Sequence, residues 1–330
     1  MIYPAFLHPG DTIGITAPSA GIDPPDHPAF DLSLSHLHAA GYRTVETPNV
    51  RAGGMVSASS RERAAQLNAL LRDDDVRMIW CAAGGDFLLD MLPHVDWDAA
   101  AAHPKWIQGF SDPTSLLYCL TTVHDIATLY GTNAGGFDMT VLHPSLADNL
   151  RLLTGEAVTQ RRFDRFEAVR AERAEVDGYA LSAPVVWETP RGPVRVRGRL
   201  LGGCMDCLSD VVGTRFDGTA AFLDRYAADG VLWYFDVFAL SAETVYRTLW
   251  RMRECGWFRG AVGVVFGRIF LPNSPLGVTY RDMIEQALPD LPLVLEADVG
   301  HVPPRMTLIN GALATLTAAD GDGALTMEYV

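Results

Sequence analysis

Two stretches carry residue types that could cooperate in hydrolysis. In the first, Trp106-Ile107-Gln108-Gly109-Phe110-Ser111-Asp112-Pro113-Thr114-Ser115-Leu116-Leu117, an apolar run passes through a Gly and a Ser into what reads as a helix starting at Pro113. Pro suits a first helical position, because the N–H it lacks has no partner there and its φ is already helical. Asp112 is then expected as the N-cap. Ser111 falls on the turn, at the positive end of the helix dipole, where backbone N–H groups can meet developing negative charge. On this pattern alone it is either a nucleophile or a turn residue beside a cap. The second stretch, Asp298-Val299-Gly300-His301-Val302-Pro303-Pro304, reads as a loop with one flanked His. Serine needs a base to take its proton, and His has the right pKa range. A buried carboxylate could fix the imidazole tautomer and stabilise the imidazolium. By itself His301 reads as a loop residue bonded to backbone.

Other chemistries fit less well. Lys105 is the only lysine, so 25 of the 26 cationic side chains are Arg, and a Schiff base or Ser-Lys dyad would have to use it. It opens the strand that leads to Ser111 and so is expected away from that strand's far end. Cys204-Met205-Asp206-Cys207 is a CxxC with no second pair for zinc and no thioredoxin-like context, and reads as two thiols on a buried helix. Gly84-Gly85-Asp86-Phe87 spells part of a cyclic-dinucleotide synthase signature but lacks the further carboxylates and hairpin that site needs.

Gly109-Phe110-Ser111-Asp112-Pro113-Thr114 resembles the GxSDxT nucleophile motif of the LD-carboxypeptidases. These serine peptidases include muropeptide LD-carboxypeptidases and microcin C self-immunity peptidases. The resemblance continues in order along the chain. Gly10-Asp11-Thr12-Ile13-Gly14-Ile15-Thr16-Ala17-Pro18-Ser19 is similar to the family's opening GDxIxxxAPS, and Gly84-Gly85 to its Gly-Gly turn. Gly202-Gly203 resembles its GG(N)LxxL element, with Cys204 in the usual Asn place. Asp236 and His301 match the places of the catalytic acid and of the His in a (D)xGHxxP loop, and the LWRMRECGWF stretch keeps the spacing after the acid.

The resemblance implies a Ser111–His301–Asp236 triad, with oxyanion N–H groups from Gly85 and Asp112. It implies hydrolysis of an amide bond between an L-centre and a D-amino acid, as in the murein tetrapeptide, or of aminoacyl-sulfamoyl nucleotide amides as in the immunity-type enzymes. It also implies a homodimer, no cofactor or metal, and a cleft between two domains into which the second brings His301. A cation is wanted for the leaving residue's carboxylate, and Arg305, four residues after His301, is the candidate. The departure is Asp236, where the family has Glu. Asp is one methylene shorter, so the His loop must come closer; otherwise the chain is an inactive homologue, or a nearby acid such as Glu243 is the true partner. An α/β-hydrolase also runs Ser, acid, His, but its G-x-S-x-G elbow meets Pro113 here. A non-catalytic muropeptide- or nucleotide-binding module is the alternative of a different class.

The elements that must position these residues follow from periodicity and turn signals. Strands are expected within Gly10–Ser19, over Tyr42–Pro48 and Val76–Ala83, from Lys105 toward the Ser111 turn, and as a short piece opening Leu129–Phe137. Helices are expected over Asp31–Gly41, Ser59–Leu71, from Asp86 to Leu92 and after Pro113. Such a βαβ series places ligands outside the strands' carboxyl ends, where both the Gly84-Gly85 turn and Ser111 fall. Residues 144 to 165 read as helix. The mixed charges from Gln160 to Glu175 read as a solvated connection. The expected organisation is therefore an N-terminal parallel α/β domain (Rossmann-like) over residues 1–155, a linker over 156–190, and a smaller α/β or β-rich C-terminal domain over 191–330. In that last domain strands are expected at Val194–Gly203, Val231–Asp236, Ala261–Arg268 and Leu291–Leu295, with helices over Ser241–Glu254 and 279 to 288.

The 330 residues, 48% apolar and 20% charged, describe an ordinary globular chain. A net charge of −14 argues against nucleic acid as a partner, and no apolar run is long enough for a membrane span. The opening Met1–Gly10 has neither a basic start nor an apolar core, and five Cys show no secreted-type framework. A cytoplasmic protein with reduced thiols is expected.

Overall fold

The computed structural model describes residues 1–169 and 177–330. The chain divides into two compact units, one built on Met1–Glu156 and the other on Tyr179–Val330 together with the segment that opens at Ala157. Arg170, Glu172, Arg173 and Glu175 of the charged stretch lie outside the described residues.

In the first unit strands and helices alternate: β1 (Thr12–Thr16), α1 (His27–Ala39), β2 (Arg43–Glu46), α2 (Ser60–Arg72), β3 (Val76–Cys81), α3 (Trp97–Ala102), β4 (Trp106–Gly109), α4 (Thr114–His124), β5 (Thr128–Tyr130) and α5 (Pro144–Leu153). The strands lie side by side in the order β2-β1-β3-β4-β5, and every pair is parallel. Buried on both faces, β3 and β4 read as near-continuous apolar runs rather than alternating ones. The start of α2 follows from Ser59 and Glu62, whose side chains satisfy each other's backbone N–H groups in a capping box. Helix α4 is buried from Thr114 to Thr122, its apolar side chains interleaved with the short hydroxyls of Thr114, Ser115, Thr121 and Thr122. The helix expected from Asp86 is instead a 3₁₀ turn over Leu89–His94 that contains Pro93, whose ring and missing N–H do not allow an α-helix to run on. Because the sheet is parallel, the loops after β1, β3 and β4 leave it on one side.

The second unit holds β6 (Thr159–Arg161), β7 (Arg165–Phe166), β8 (Ala183–Pro184), β9 (Val194–Cys204), α6 (Met205–Val211), α7 (Thr219–Arg225), β10 (Val231–Asp236), α8 (Ala242–Glu254), β11 (Ala261–Gly267), α9 (Tyr280–Ala287), β12 (Leu293–Ala297), β13 (Leu308–Asn310), β14 (Leu313–Ala319) and β15 (Asp322–Glu328). Its sheet is seven-stranded and mixed, in the order β12-β11-β10-β9-β14-β15-β6. β9 to β12 are parallel and β14, β15 and β6 extend the sheet antiparallel. The helix read over residues 144 to 165 therefore stops at Leu153. Gly155 follows with φ +81°, and Thr159–Arg161 pairs as an edge strand. Aromatic packing holds the centre: Trp233 of β10 stacks on Trp257 at 5.3 Å, both with no exposed surface, and Phe235 meets Phe266 at 5.4 Å. The carboxyl ends of β9, β10 and β12 deliver Cys204, Asp236 and Asp298 to the same side of this sheet.

Candidate active site

In the first unit the turn between β4 and α4 is tight. Ser111 has φ +67°, a left-handed conformation that costs a non-glycine residue about 1–3 kcal/mol unless its surroundings enforce it. The surroundings do. Asn133 clamps the preceding residue from both sides, its Oδ1 accepting from Phe110 N at 3.0 Å and its Nδ2 donating to Phe110 O at 3.3 Å. Ser111 O accepts from Thr114 N at 2.9 Å, closing the turn into the helix. The β3 loop passes so near that a Cβ on Gly84 would lie 3.1 Å from Ser111 Oγ. Gly85 sits at φ +143°, and a Cβ there would run into the Ser19 hydroxyl, so this position needs glycine on both counts.

Asp112 is not the cap the sequence suggested. Helix α4 begins at Thr114 with Pro113 as its N-cap and no side-chain cap. The Asp112 carboxylate is buried, and its Oδ2 accepts from Ser19 Oγ at 2.5 Å and from Leu88 N at 2.8 Å. It thereby ties the loops after β1 and β3 to the β4 turn. Tertiary partners outcompete local capping here because a buried carboxylate must find donors, and its own helix offers fewer than the two neighbouring loops. Burial raises its pKa above the ordinary carboxylate value, and the bonds from Ser19 and Leu88 offset only part of that. Sequence reasoning missed Ser19, although it closes the Ala17-Pro18-Ser19 segment singled out for resemblance.

In the second unit Asp236 and His301 meet. Asp236 has no exposed side-chain surface, and its Oδ2 lies 2.6 Å from His301 Nδ1. Its Oδ1 accepts from the His301 backbone N at 3.2 Å. The loop can press this closely because Gly300 has φ +92° and no Cβ, and a Cβ there would overlap the Asp236 carboxylate. Asp236 thus reaches the ring with the loop lying directly against its carboxylate. With Nδ1 turned to Asp236, Nε2 is the ring nitrogen left to face other groups. Glu243 is engaged elsewhere, its Oε1 accepting from Ser274 Oγ at 3.1 Å and Leu276 N at 2.7 Å.

Further groups hold the loop that carries His301. Asp298, fully buried, pairs with Arg268 at 2.6 Å and accepts from Trp187 Nε1 at 3.0 Å and Phe163 N at 3.1 Å. Phe238 and Phe270 pack on the imidazole with ring centroids at 4.8 and 5.7 Å. Phe238 is itself fixed by Asp206, whose carboxylate accepts from the backbone N–H groups of Phe238, Ala239 and Leu240 at 2.9, 2.9 and 3.1 Å. Arg305 donates to His301 O at 3.2 Å. Lys105 lies where it was expected, its ammonium on the carbonyls of Leu70 and Asp73. Cys204, at the end of β9, is the register partner of Asp236. Its thiol pKa is pushed well up by a hydrogen bond with Cys207, by burial and by the nearby carboxylates. Neither the Asp206 anchor nor the closeness of Cys204 to Asp236 could be read without the β9–β10 register.

Family models match both parts of the chain: the LD-carboxypeptidase N-terminal domain over residues 13–131 and the LD-carboxypeptidase C-terminal domain over residues 197–316. A Bacillus subtilis protein described as "Probable murein peptide carboxypeptidase" is 24% identical over 324 residues, covering 96% of this chain and 92% of its own. The microcin C7 self-immunity protein MccF of Escherichia coli is 26% identical over 240 residues, 64% of each chain. The structure of MccF in complex with glutamyl sulfamoyl guanosine matches with a TM-score of 0.80 at 22% identity, covering 99% of this chain and 98% of the other. That of a muramoyltetrapeptide carboxypeptidase from Oxalobacter formigenes matches with a TM-score of 0.76 at 19% identity, covering 96% and 99%. Among the described residues no helix is long and apolar enough to cross a membrane.

Proposed function

The chain belongs to the LD-carboxypeptidase family of serine-type hydrolases, and from that premise we propose that it removes a D-amino acid from a murein tetrapeptide by a Ser111–His301–Asp236 triad. The observation that carries this reading is the Asp236–His301 pair, a fully buried carboxylate 2.6 Å from Nδ1 at the place where the family keeps its acid and base. Asp236 holds the tautomer with the proton on Nδ1 and stabilises the imidazolium, so Nε2 acts as the base. Nε2 takes the proton of Ser111 Oγ as that oxygen attacks the scissile carbonyl, and then gives it to the leaving amine. The N–H groups of Gly85 and Asp112 stabilise the oxyanion, and Arg305 meets the leaving residue's carboxylate. Water then releases the acyl-enzyme by the same steps in reverse order.

A side-by-side assay tests the substrate. The purified protein is given a murein tetrapeptide and, separately, a glutamyl sulfamoyl nucleotide of the kind bound by MccF. Release of the terminal D-amino acid with a kcat/KM at least about tenfold above that for the nucleotide, a difference of roughly 1.4 kcal/mol in transition-state binding, is the expected result. The reverse preference would assign the immunity-type reaction instead, and no turnover of either would favour a binding protein.

A further inference from the structure

We propose that Cys204, Asp236 and His301 together form an inhibitory site for a thiophilic divalent cation, zinc by its ligand chemistry. One ligand atom from each of the three lies within 4.8 Å of the others. The sheet register makes this closeness a property of the fold, since Cys204 and Asp236 are partners on adjacent parallel strands and the His301 loop closes over the carboxylate. Sulfur, imidazole nitrogen and carboxylate oxygen are the set zinc takes, and three protein ligands with an open fourth position is a common arrangement. Cys207 stands beside Cys204, its thiol hydrogen-bonded to it, as a second sulfur next to the site. The family pattern has Asn in the place of Cys204, and a neutral amide would not supply this ligand.

Coordination has a defined geometric cost. Zinc bonds of about 2.0–2.3 Å set neighbouring ligand atoms roughly 3.3–3.6 Å apart in a tetrahedron. Asp236 Oδ2 and His301 Nδ1, now 2.6 Å apart, must therefore separate, and the bound ion takes the place of the close contact between them. The Cys204 thiol gives its proton to the buffer as the metal binds, and the His301 ring proton moves from Nδ1 to Nε2, so the imidazole stays neutral and no other reactant is needed. Cys204 and Asp236 are buried and His301 is nearly so, which makes opening of the 298–306 loop the step that admits the ion. Inhibition then develops over time rather than on mixing. That consequence rests on the triad reading above, whereas the binding itself does not.

Cobalt(II) is the probe, read by its thiolate-to-metal charge-transfer absorption, with zinc displacing it. The titration uses the full chain carrying Cys255→Ser, which removes the exposed thiol. One equivalent of cobalt with a thiolate band is expected. Cys204→Ser should abolish the band and weaken zinc binding at least tenfold, and His301→Ala should weaken it as well. Should Cys204→Ser fail to fold by circular dichroism, Cys204→Asn, the residue type of the family pattern, decides in its place. Absence of the band, or its persistence without the Cys204 sulfur, overturns the site. Cobalt binding with undiminished hydrolysis upholds the site and contradicts the catalytic role of the pair instead.

Discussion

At the scale of single residues, the chain differs from its family's pattern where the chemistry is most exacting. Asp stands at 236 where the family pattern has Glu, and Gly300, the glycine of the (D)xGHxxP pattern, lies pressed against its carboxylate. If Asp236 orients the imidazole, Asp236→Asn keeps the shape but favours the wrong tautomer, and the turnover number should fall by up to about 10⁴-fold. Asp236→Glu should lose part of the activity, because an added methylene must fit against Gly300 and the His301 backbone. Glu243→Gln should leave kcat within about twofold and act only on melting temperature, since its partners are Ser274 and the loop at Leu276. Steady-state kinetics of the three variants check this, and a large loss in Glu243→Gln with a silent Asp236→Asn would relocate the acid. The motif residues were legible because chemistry restricts their types. Ser19 and Asp206 were not, because an ordinary Ser or Asp acquires its role only from which loops the fold brings beside it.

At the scale of elements, both halves of the site are strand-end loops held by buried polar groups. Arg268 and Asp298 anchor the His301 loop, so Arg268→Ala should cost roughly 3–5 kcal/mol by stranding a buried carboxylate, read as a lowered denaturant midpoint. Asp112 ties the loops of the first unit together and gives a pH signature. Its folded pKa is raised above the ordinary 3.8, so between these two values the folded state binds more protons than the unfolded chain. Its contribution is then fully present below pH 3.8 and is lost as pH rises through the folded pKa. Asp112→Asn should flatten the fall of stability over that window, measured as midpoint against pH, whereas an unchanged slope would contradict the shift. Strand and helix positions were legible where periodicity was strong, as in α2 with its capping box and α8 with Ser241 as its cap. The start of α4 and the run after Leu153 were not. In both, tertiary bonds or sheet pairing overrode a local helical pattern.

At the scale of the whole molecule, the order of strands and helices already points to a parallel first sheet. The antiparallel extension of the second by β14, β15 and β6 was not anticipated: β15–β6 and β14–β9 pair segments far apart in sequence, which leaves no local trace, while the β14–β15 hairpin turns at Asp320-Gly321, a local signal that was passed over. The proposed reaction makes its strongest demand at this scale, since Ser111 belongs to one unit and His301 to the other. Labelling with a fluorophosphonate, which reacts only with an activated serine, tests that demand without knowledge of the substrate. The protein is incubated with the reagent, digested, and the adduct located by mass spectrometry in wild type, Ser111→Ala, His301→Ala and Asp236→Asn. The account predicts a single adduct on Ser111, none in Ser111→Ala, and labelling slowed at least a hundredfold in His301→Ala and strongly in Asp236→Asn, a hundredfold being the lower end of what a general base supplies, about 10²–10⁴. An adduct on another serine, or Ser111 labelled equally fast without His301, would contradict it.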